Sequence, residues 1–208
     1  MAIINQATKE LQVKIVYYGP PMGGKTTNLV QVHDHVHTVP GNLGKLVALA
    51  TSSDRTLFFD FIPLEQAEMR GFKVKFQLYT VPGQVIYNTT RQLVLRGVDG
   101  IVFVADSQLG KMQENLESLQ NLKDNLRTLK LNLADIPHVF QYNKRDLPPT
   151  IALEEMVSTI NVGGRAGHEI MPSFAATANR CQGVMETLDC LTNKLSAKFT
   201  NQTQKELA

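Results

Sequence analysis

The sequence predicts one α/β domain built on an open, mostly parallel sheet with helices on both faces. Strand-like and helix-like segments alternate along nearly the whole chain, which implies crossover helices between parallel neighbours. Residues 100–105, Gly-Ile-Val-Phe-Val-Ala, form an unbroken apolar run between Asp99 and Asp106, as a central strand requires when helices cover both its faces. Met112, Leu116, Leu119, Leu122, Leu126 and Leu129 recur at spacings of three and four, a helical stripe. It lasts under three heptads and sits between two strands, so it covers a sheet rather than building a coiled coil.

In chain order, Val13, Ile15, Val16 and the Tyr17-Tyr18 pair give the first strand, and 27–36 a helix that opens at Lys25. Strands follow at 45–50, 57–62 and 73–80, separated by short polar loops, with Gly71 marking the turn before the third. After the central strand and the leucine helix come a strand at 138–143, a helix at 153–160, a short strand at 171–175 and a last helix at 184–199. Residues beyond about Lys198 are polar and aperiodic, so 1–198 is the predicted domain and 199–208 a flexible tail. There is no second domain, linker or repeat in this reading.

Composition excludes more than it selects. A chain of 208 residues suits one domain with a substantial core. A net charge of +2 predicts neither a nucleic-acid footprint nor a polybasic membrane anchor. Cys181 and Cys190 are too few for a disulfide framework and lack zinc-site spacing, so a reducing, cytoplasmic setting is expected. Met1-Ala2-Ile3-Ile4 carries no signal pattern, no apolar run approaches membrane-spanning length, and lipidation motifs are absent at position 2 and around Lys205-Glu206-Leu207-Ala208. Membrane association is therefore expected only through partners.

The most informative segment is Gly19-Pro20-Pro21-Met22-Gly23-Gly24-Lys25-Thr26, a complete G-x-x-x-x-G-K-[ST] pattern where the first strand hands over to the first helix. Glycines let backbone N–H groups approach a phosphate closely, and the helix behind them aims its positive end at the anion. Lys25 would reach the β- and γ-phosphates, and Thr26 would offer its hydroxyl to Mg²⁺. A glycine-rich turn matching by accident is the bland alternative; strand, loop and helix in order argue against it.

Asn143-Lys144-Arg145-Asp146 stands at the end of the 138–143 strand, where such a sheet presents residues to a ligand. A carboxylate at Asp146 can accept from both N1–H and the exocyclic amine of guanine. Adenine lacks that pair of donors, so a buried charge would be left unpaired with the wrong base. Asn143 would tie this loop to the phosphate loop, and the Lys144 stem would cover the base's face. Taken alone the tetrad reads as a solvated turn before Pro148-Pro149; joined to the phosphate loop in one sheet it reads as guanine recognition. In Phe174-Ala175-Ala176-Thr177, Ala176 is the candidate whose backbone N–H meets the guanine oxygen.

With Thr80-Val81-Pro82-Gly83-Gln84 at the end of a strand, these motifs resemble a Ras-like small GTPase over nearly the whole chain. More narrowly, Asp54-Arg55-Thr56-Leu57-Phe58-Phe59-Asp60-Phe61, the Thr-Val-Pro-Gly-Gln segment and Val104-Ala105-Asp106-Ser107-Gln108 resemble the bacterial MglA-type family. That resemblance implies a P-loop GTPase fold with one antiparallel strand, and a GTP-hydrolysing switch for cell polarity and for gliding or pilus-based motility. It implies GTP, GDP and Mg²⁺ as ligands, a roadblock-domain MglB-like activating protein and motility effectors as partners, and recruitment to a cell pole. The nucleotide contacts then fall to Gly19, Gly23, Gly24, Lys25, Thr26, Thr27, Gly83, Asn143, Lys144, Asp146 and Ala176, and the metal to Thr26 and Thr56. In this family Thr56 caps the γ-phosphate, Arg55 acts as a finger in cis, and Gln84 orients the attacking water. Phosphoryl transfer is catalysed by positioning and charge stabilisation, which an arginine and an amide can supply.

Two positions depart from the broader Ras-like pattern. Thr80 takes the place of an aspartate that holds a Mg²⁺-bound water, and Pro21 removes an N–H from the phosphate loop and fixes its φ. Slow hydrolysis without an activator is expected, and a nucleotide-loaded scaffold that scarcely hydrolyses is the competing reading. Alternating His33, His35 and His37 do not share a helix face and read as a solvated helix end rather than a metal site. Phe58, Phe59 and Phe61 crowd one strand, with Phe59 and Phe61 on a common face.

Overall fold

The structure, a computed structural model, describes residues 3–5, 7–37, 46–50, 55–61, 71–83, 87–161 and 170–206; for 3–4, 46–50, 55–61 and 200–206 it describes the backbone. Eight strands, β1 (Ile3–Asn5), β2 (Glu10–Tyr18), β3 (Leu46–Ala50), β4 (Arg55–Phe61), β5 (Lys73–Thr80), β6 (Gly100–Asp106), β7 (His138–Asn143) and β8 (Ser173–Ala175), form one sheet. Its main path runs β3-β4-β5-β2-β6-β7-β8. β5, β2, β6, β7 and β8 are mutually parallel, and β4 is the antiparallel strand of this path, pairing Phe59 with Leu78 and Phe61 with Phe76. β1 adds a further antiparallel pairing, on β2, to those of β4 with β3 and β5.

The helices are α1 (Lys25–His37), α2 (Asn88–Leu95), α3 (Met112–Thr128), α4 (Leu153–Ile160) and α5 (Val184–Glu206). Strand alternation sends successive side chains to opposite faces and divides the core in two. Val13, Ile15 and Tyr17 of β2 pack with Leu29 and Val32 of α1 and with Leu188, Leu191 and Leu195 of α5. Val16 and Tyr18 pack on the other face with Leu95 of α2, Leu119, Leu122 and Leu126 of α3 and Met156 of α4. β6 is buried at all seven residues, which explains its unbroken apolar run. Each fully buried Leu, Ile or Phe contributes roughly 1.5–3 kcal/mol relative to exposure. At the start of β6 a Cβ on Gly100 would stand 2.9 Å from Leu195 Cδ1, so α5 seats closely only because the strand begins with glycine.

Three features differ from the sequence reading. α2 and β1 were not predicted: Asn-Thr-Thr-Arg-Gln-Leu-Val-Leu carries β-branched residues and no apolar stripe, and three residues are too few for a period. β4 opens at Arg55 rather than at 57, which places Arg55 and Thr56 in the strand. The backbone of α5 stays helical to Glu206, through residues whose composition predicts fraying.

Candidate functional site

Parallel strands bring the carboxyl ends of β2, β6 and β7 to one edge, where Tyr18, Asp106 and Asn143 are the last strand residues. The chain leaves β2 at Gly19, whose φ of +150° and position against the Val104 backbone both require glycine. It turns through Pro20-Pro21-Met22 and re-enters regular structure at Lys25, with Gly23 N–H donating to Pro20 O at 3.3 Å and Asn28 N–H to Gly24 O at 3.0 Å. Gly24, at φ +98°, lies so close to the Asn143 amide that a Cβ would collide with it.

Lys25 is 6% exposed and its ammonium folds back inside the loop, donating to Gly19 O at 3.0 Å and Pro20 O at 2.7 Å. A cation inside a curl of glycine-rich backbone ahead of a helix N-terminus is the donor set an anionic phosphate chain needs. Thr26 and Thr27 follow, half-buried, in the first turn of α1. Among the described residues no group of three His, Cys, Asp or Glu side chains forms a metal centre. The Thr26 hydroxyl, in the first turn of α1, is an oxygen donor of the kind that Mg²⁺ takes alongside water and phosphate oxygens.

Asn143, 2% exposed, is the hinge between loops. Its Nδ2 donates to Gly23 O at 2.9 Å, and its Oδ1 accepts from Ala178 N–H at 2.9 Å. Lys144 adopts φ +65°, and its Nζ lies 2.7 Å from Asp106 Oδ2 and 3.2 Å from Gln108 Oε1. Asp106 in turn accepts from Gln108 N–H at 3.0 Å. A nearly buried carboxylate thus fixes the end of the Lys144 side chain and stretches its stem along the pocket rim. Asp146 is half-exposed, with Oδ2 accepting from Asn179 Nδ2 at 3.1 Å and its other oxygen not engaged by that bond.

Ala176 is not placed to offer its N–H to a base. It is buried, and that N–H donates to Tyr142 O at 2.8 Å, extending the β7–β8 ladder. The turn beside Asp146 is formed instead by Thr177, Ala178 and Asn179. Asp106 and Asn179 were missed by sequence reasoning. Asp106 carried a legible signal, a carboxylate ending a strand at the same level as Asn143; Asn179 carried none, since its bond to Asp146 joins separate loops.

Of the residues that the resemblance assigns to the γ-phosphate, Arg55 and Thr56 open β4, in register with Ala50 and Leu49 of β3. Gln84 lies outside the described residues. Gly83 sits against the phosphate loop, where a Cβ would stand 2.6 Å from Pro21 Cα, and Thr80 is fully buried. Behind the loop, Asn28 donates to Gly24 O at 3.0 Å and accepts from Gln141 Nε2 at 2.9 Å. Gln141 also donates to Thr187 Oγ1 at 3.1 Å, so α1, β7 and α5 share one buried amide relay.

Residues 1–195 match the model of the ADP-ribosylation factor family. The chain is also 50% identical over 188 residues to the mutual gliding-motility protein MglA of Myxococcus xanthus (strain DK1622), an alignment covering 90% of this chain and 92% of that protein. Among the described residues no helix is long and apolar enough to cross a membrane.

Proposed function

Because the chain belongs to the ADP-ribosylation factor family of Ras-like small GTPases and is an MglA-type member, we propose that its GTP-hydrolysing switch controls cell polarity and motility. The observation that best supports the site is the Asn143 bridge: one side chain joins the loop carrying Lys25 to the turn beside Asp146. A nucleotide lying along that edge would meet Lys25 and the loop N–H groups at its phosphates and Asp146 at its base.

In this reading Gly19, Gly23 and Gly24 admit the phosphates, Lys25 neutralises the β- and γ-phosphates, and Thr27 adds a contact in the first helical turn. Thr26 and Thr56 offer hydroxyls to Mg²⁺, which when bound neutralises charge shared by two phosphates. Gly83 presents its N–H to the γ-phosphate, Gln84 orients the attacking water, and Arg55 stabilises charge developing on the transferred group. Asn143 and Lys144 shape the base pocket, and Ala176 is left out of it, because its N–H donor is engaged in the ladder.

The named relative supports a role in gliding motility; an MglB-like roadblock protein as activator, motility effectors reading the GTP state, and polar recruitment through partners complete the proposal on the MglA-type resemblance alone. One observation favours a slower, scaffold-like protein: Thr80, at the position of the missing aspartate, is fully buried and supplies no anionic charge. Single-turnover hydrolysis of bound GTP, with and without an MglB-like protein, distinguishes the two. The switch reading expects slow hydrolysis alone and at least about a hundredfold acceleration with the activator. An unaccelerated rate would leave the scaffold.

A further inference from the structure

Arg91 of α2 is 1% exposed and among the largest fully buried side chains of the described residues. Its guanidinium spreads over three acceptors: Nε donates to Pro82 O at 2.9 Å, Nη2 to Gly83 O, and Nη1 to Asn121 Oδ1 at 2.5 Å. Its central carbon lies 5.4 Å from the Tyr18 ring centroid. Among the described residues these hydrogen-bond partners are all neutral oxygens. An apolar side chain of similar volume would fill this space without the desolvation penalty. What the planar fork adds is direction, because it fixes two consecutive carbonyls at once.

Pro82–Gly83 is a trans peptide, and in a trans peptide the C=O and the following N–H point in opposite directions. Holding Pro82 O therefore sets the direction of the Gly83 N–H. Gly83 is also the residue seated against Pro21 of the phosphate loop. The far side of the fork is anchored in turn: Asn121 Oδ1 also accepts from Tyr18 O–H at 2.6 Å, and Tyr18 ends β2 immediately before Gly19. Asn121 and Asn125 both donate to Asn88 Oδ1, at 3.1 Å and 2.8 Å, fastening the start of α2 to α3. A closed circuit thus runs from the root of the phosphate loop through Tyr18, Asn121 and Arg91 to Gly83, and back to the loop at Pro21.

We infer that Arg91 is a positioning residue that presets the Gly83 N–H for the γ-phosphate, and so sets the preference of the site for GTP over GDP. The inference rests on the proposed nucleotide site and on Gly83 meeting the γ-phosphate there. A diphosphate makes no contact at that point, so loss of the preset weakens triphosphate binding selectively. A residue serving packing alone would affect both nucleotides equally.

The test is a titration of a non-hydrolysable GTP analogue and of GDP on the full chain, unsubstituted and as Arg91→Lys and Asn121→Ala. Lysine keeps the charge but is a single point donor that cannot bridge both carbonyls in plane. Arg91→Lys is expected to leave GDP affinity within about twofold and to weaken the analogue roughly tenfold. Asn121→Ala, which releases the far side of the fork along with the Asn121 bonds to Tyr18 and Asn88 but leaves the two carbonyl bonds of Arg91 in place, is expected to shift the same ratio about threefold. An unchanged ratio, or equal loss for both nucleotides, overturns the inference. Should the Arg91 variant fail to fold, the Asn121 ratio decides alone. Failure of the unsubstituted chain to bind either nucleotide would overturn the site itself, and is recognisable because it needs no variant.

Discussion

In the proposed site Asp146 would select a base by what its two oxygens can accept, and one of them already accepts from Asn179. Replacing it with asparagine exchanges an acceptor pair for one acceptor and one donor. Asp146→Asn is expected to weaken GTP and GDP by about tenfold or more, close to 1.4 kcal/mol. It should also improve xanthine nucleotides, which carry a carbonyl where guanine has its amine. Competition binding of both families reads this directly, and unchanged GTP affinity removes Asp146 from the pocket. Residues of this kind were legible because a motif fixes their type and spacing together, as with Lys25, Asn143 and Asp146. Arg91 was not, because an arginine in a polar stretch reads as solvated until the fold shows it 1% exposed.

Whole elements were legible where burial imposes a period. β6 and α3 show it: seven buried residues in a row, and leucines at 119, 122 and 126 on one helix face. α2 escaped because its two buried residues, Arg91 and Leu95, include a charge that breaks any apolar pattern. The start of β7 adds a pH dependence the sequence could not suggest. His138 is buried there, with Nδ1 2.8 Å from Ile136 O, between Lys123 of α3 and Lys194 of α5. Burial pushes its pKa below the ordinary 6.5; the Ile136 carbonyl opposes that shift, and the two lysines reinforce it. With the folded pKa depressed, the unfolded chain binds the proton first as pH falls. Stability from this group is therefore complete above about 6.5 and declines on acidification below it, until the folded imidazole also protonates. His138→Gln, which keeps an amide donor near Ile136 O, should lose less stability between pH 7.5 and 5.5 in urea melts. Equal losses in both chains would show that folding does not depress the His138 pKa.

At the scale of the whole molecule, the residues proposed for binding and for catalysis come from different parts of the sheet. Lys25 and Asn143 are held by buried bonds and Lys144 by a part-buried one to Asp106 at the end of β6, so this edge of the proposed nucleotide site is built into the core. Arg55 and Thr56 sit instead at the start of β4, next to the edge strand β3, two strands from β2. The sequence motifs pointed to both groups; among the described side chains, Asn143 and Lys144 are joined to neighbouring loops and strand ends, because β6 and β7 end there in parallel register. This division predicts how damage separates. In the proposed mechanism Gln84 and Arg55 would act on the attacking water and on charge that develops during transfer, interactions stronger in the transition state than in the bound ground state. Gln84→Ala and Arg55→Ala are each expected to leave GTP affinity within a few-fold and to lower the activator-stimulated rate by roughly a hundredfold or more, a loss of about 2.7 kcal/mol in barrier stabilisation. Nucleotide titration and single-turnover hydrolysis on the same preparations separate the two quantities. The Gln84 variant should remain in its GTP state and keep its effectors bound, whereas a loss of affinity in step with rate would make both residues ground-state binders and leave the chain a scaffold rather than a switch.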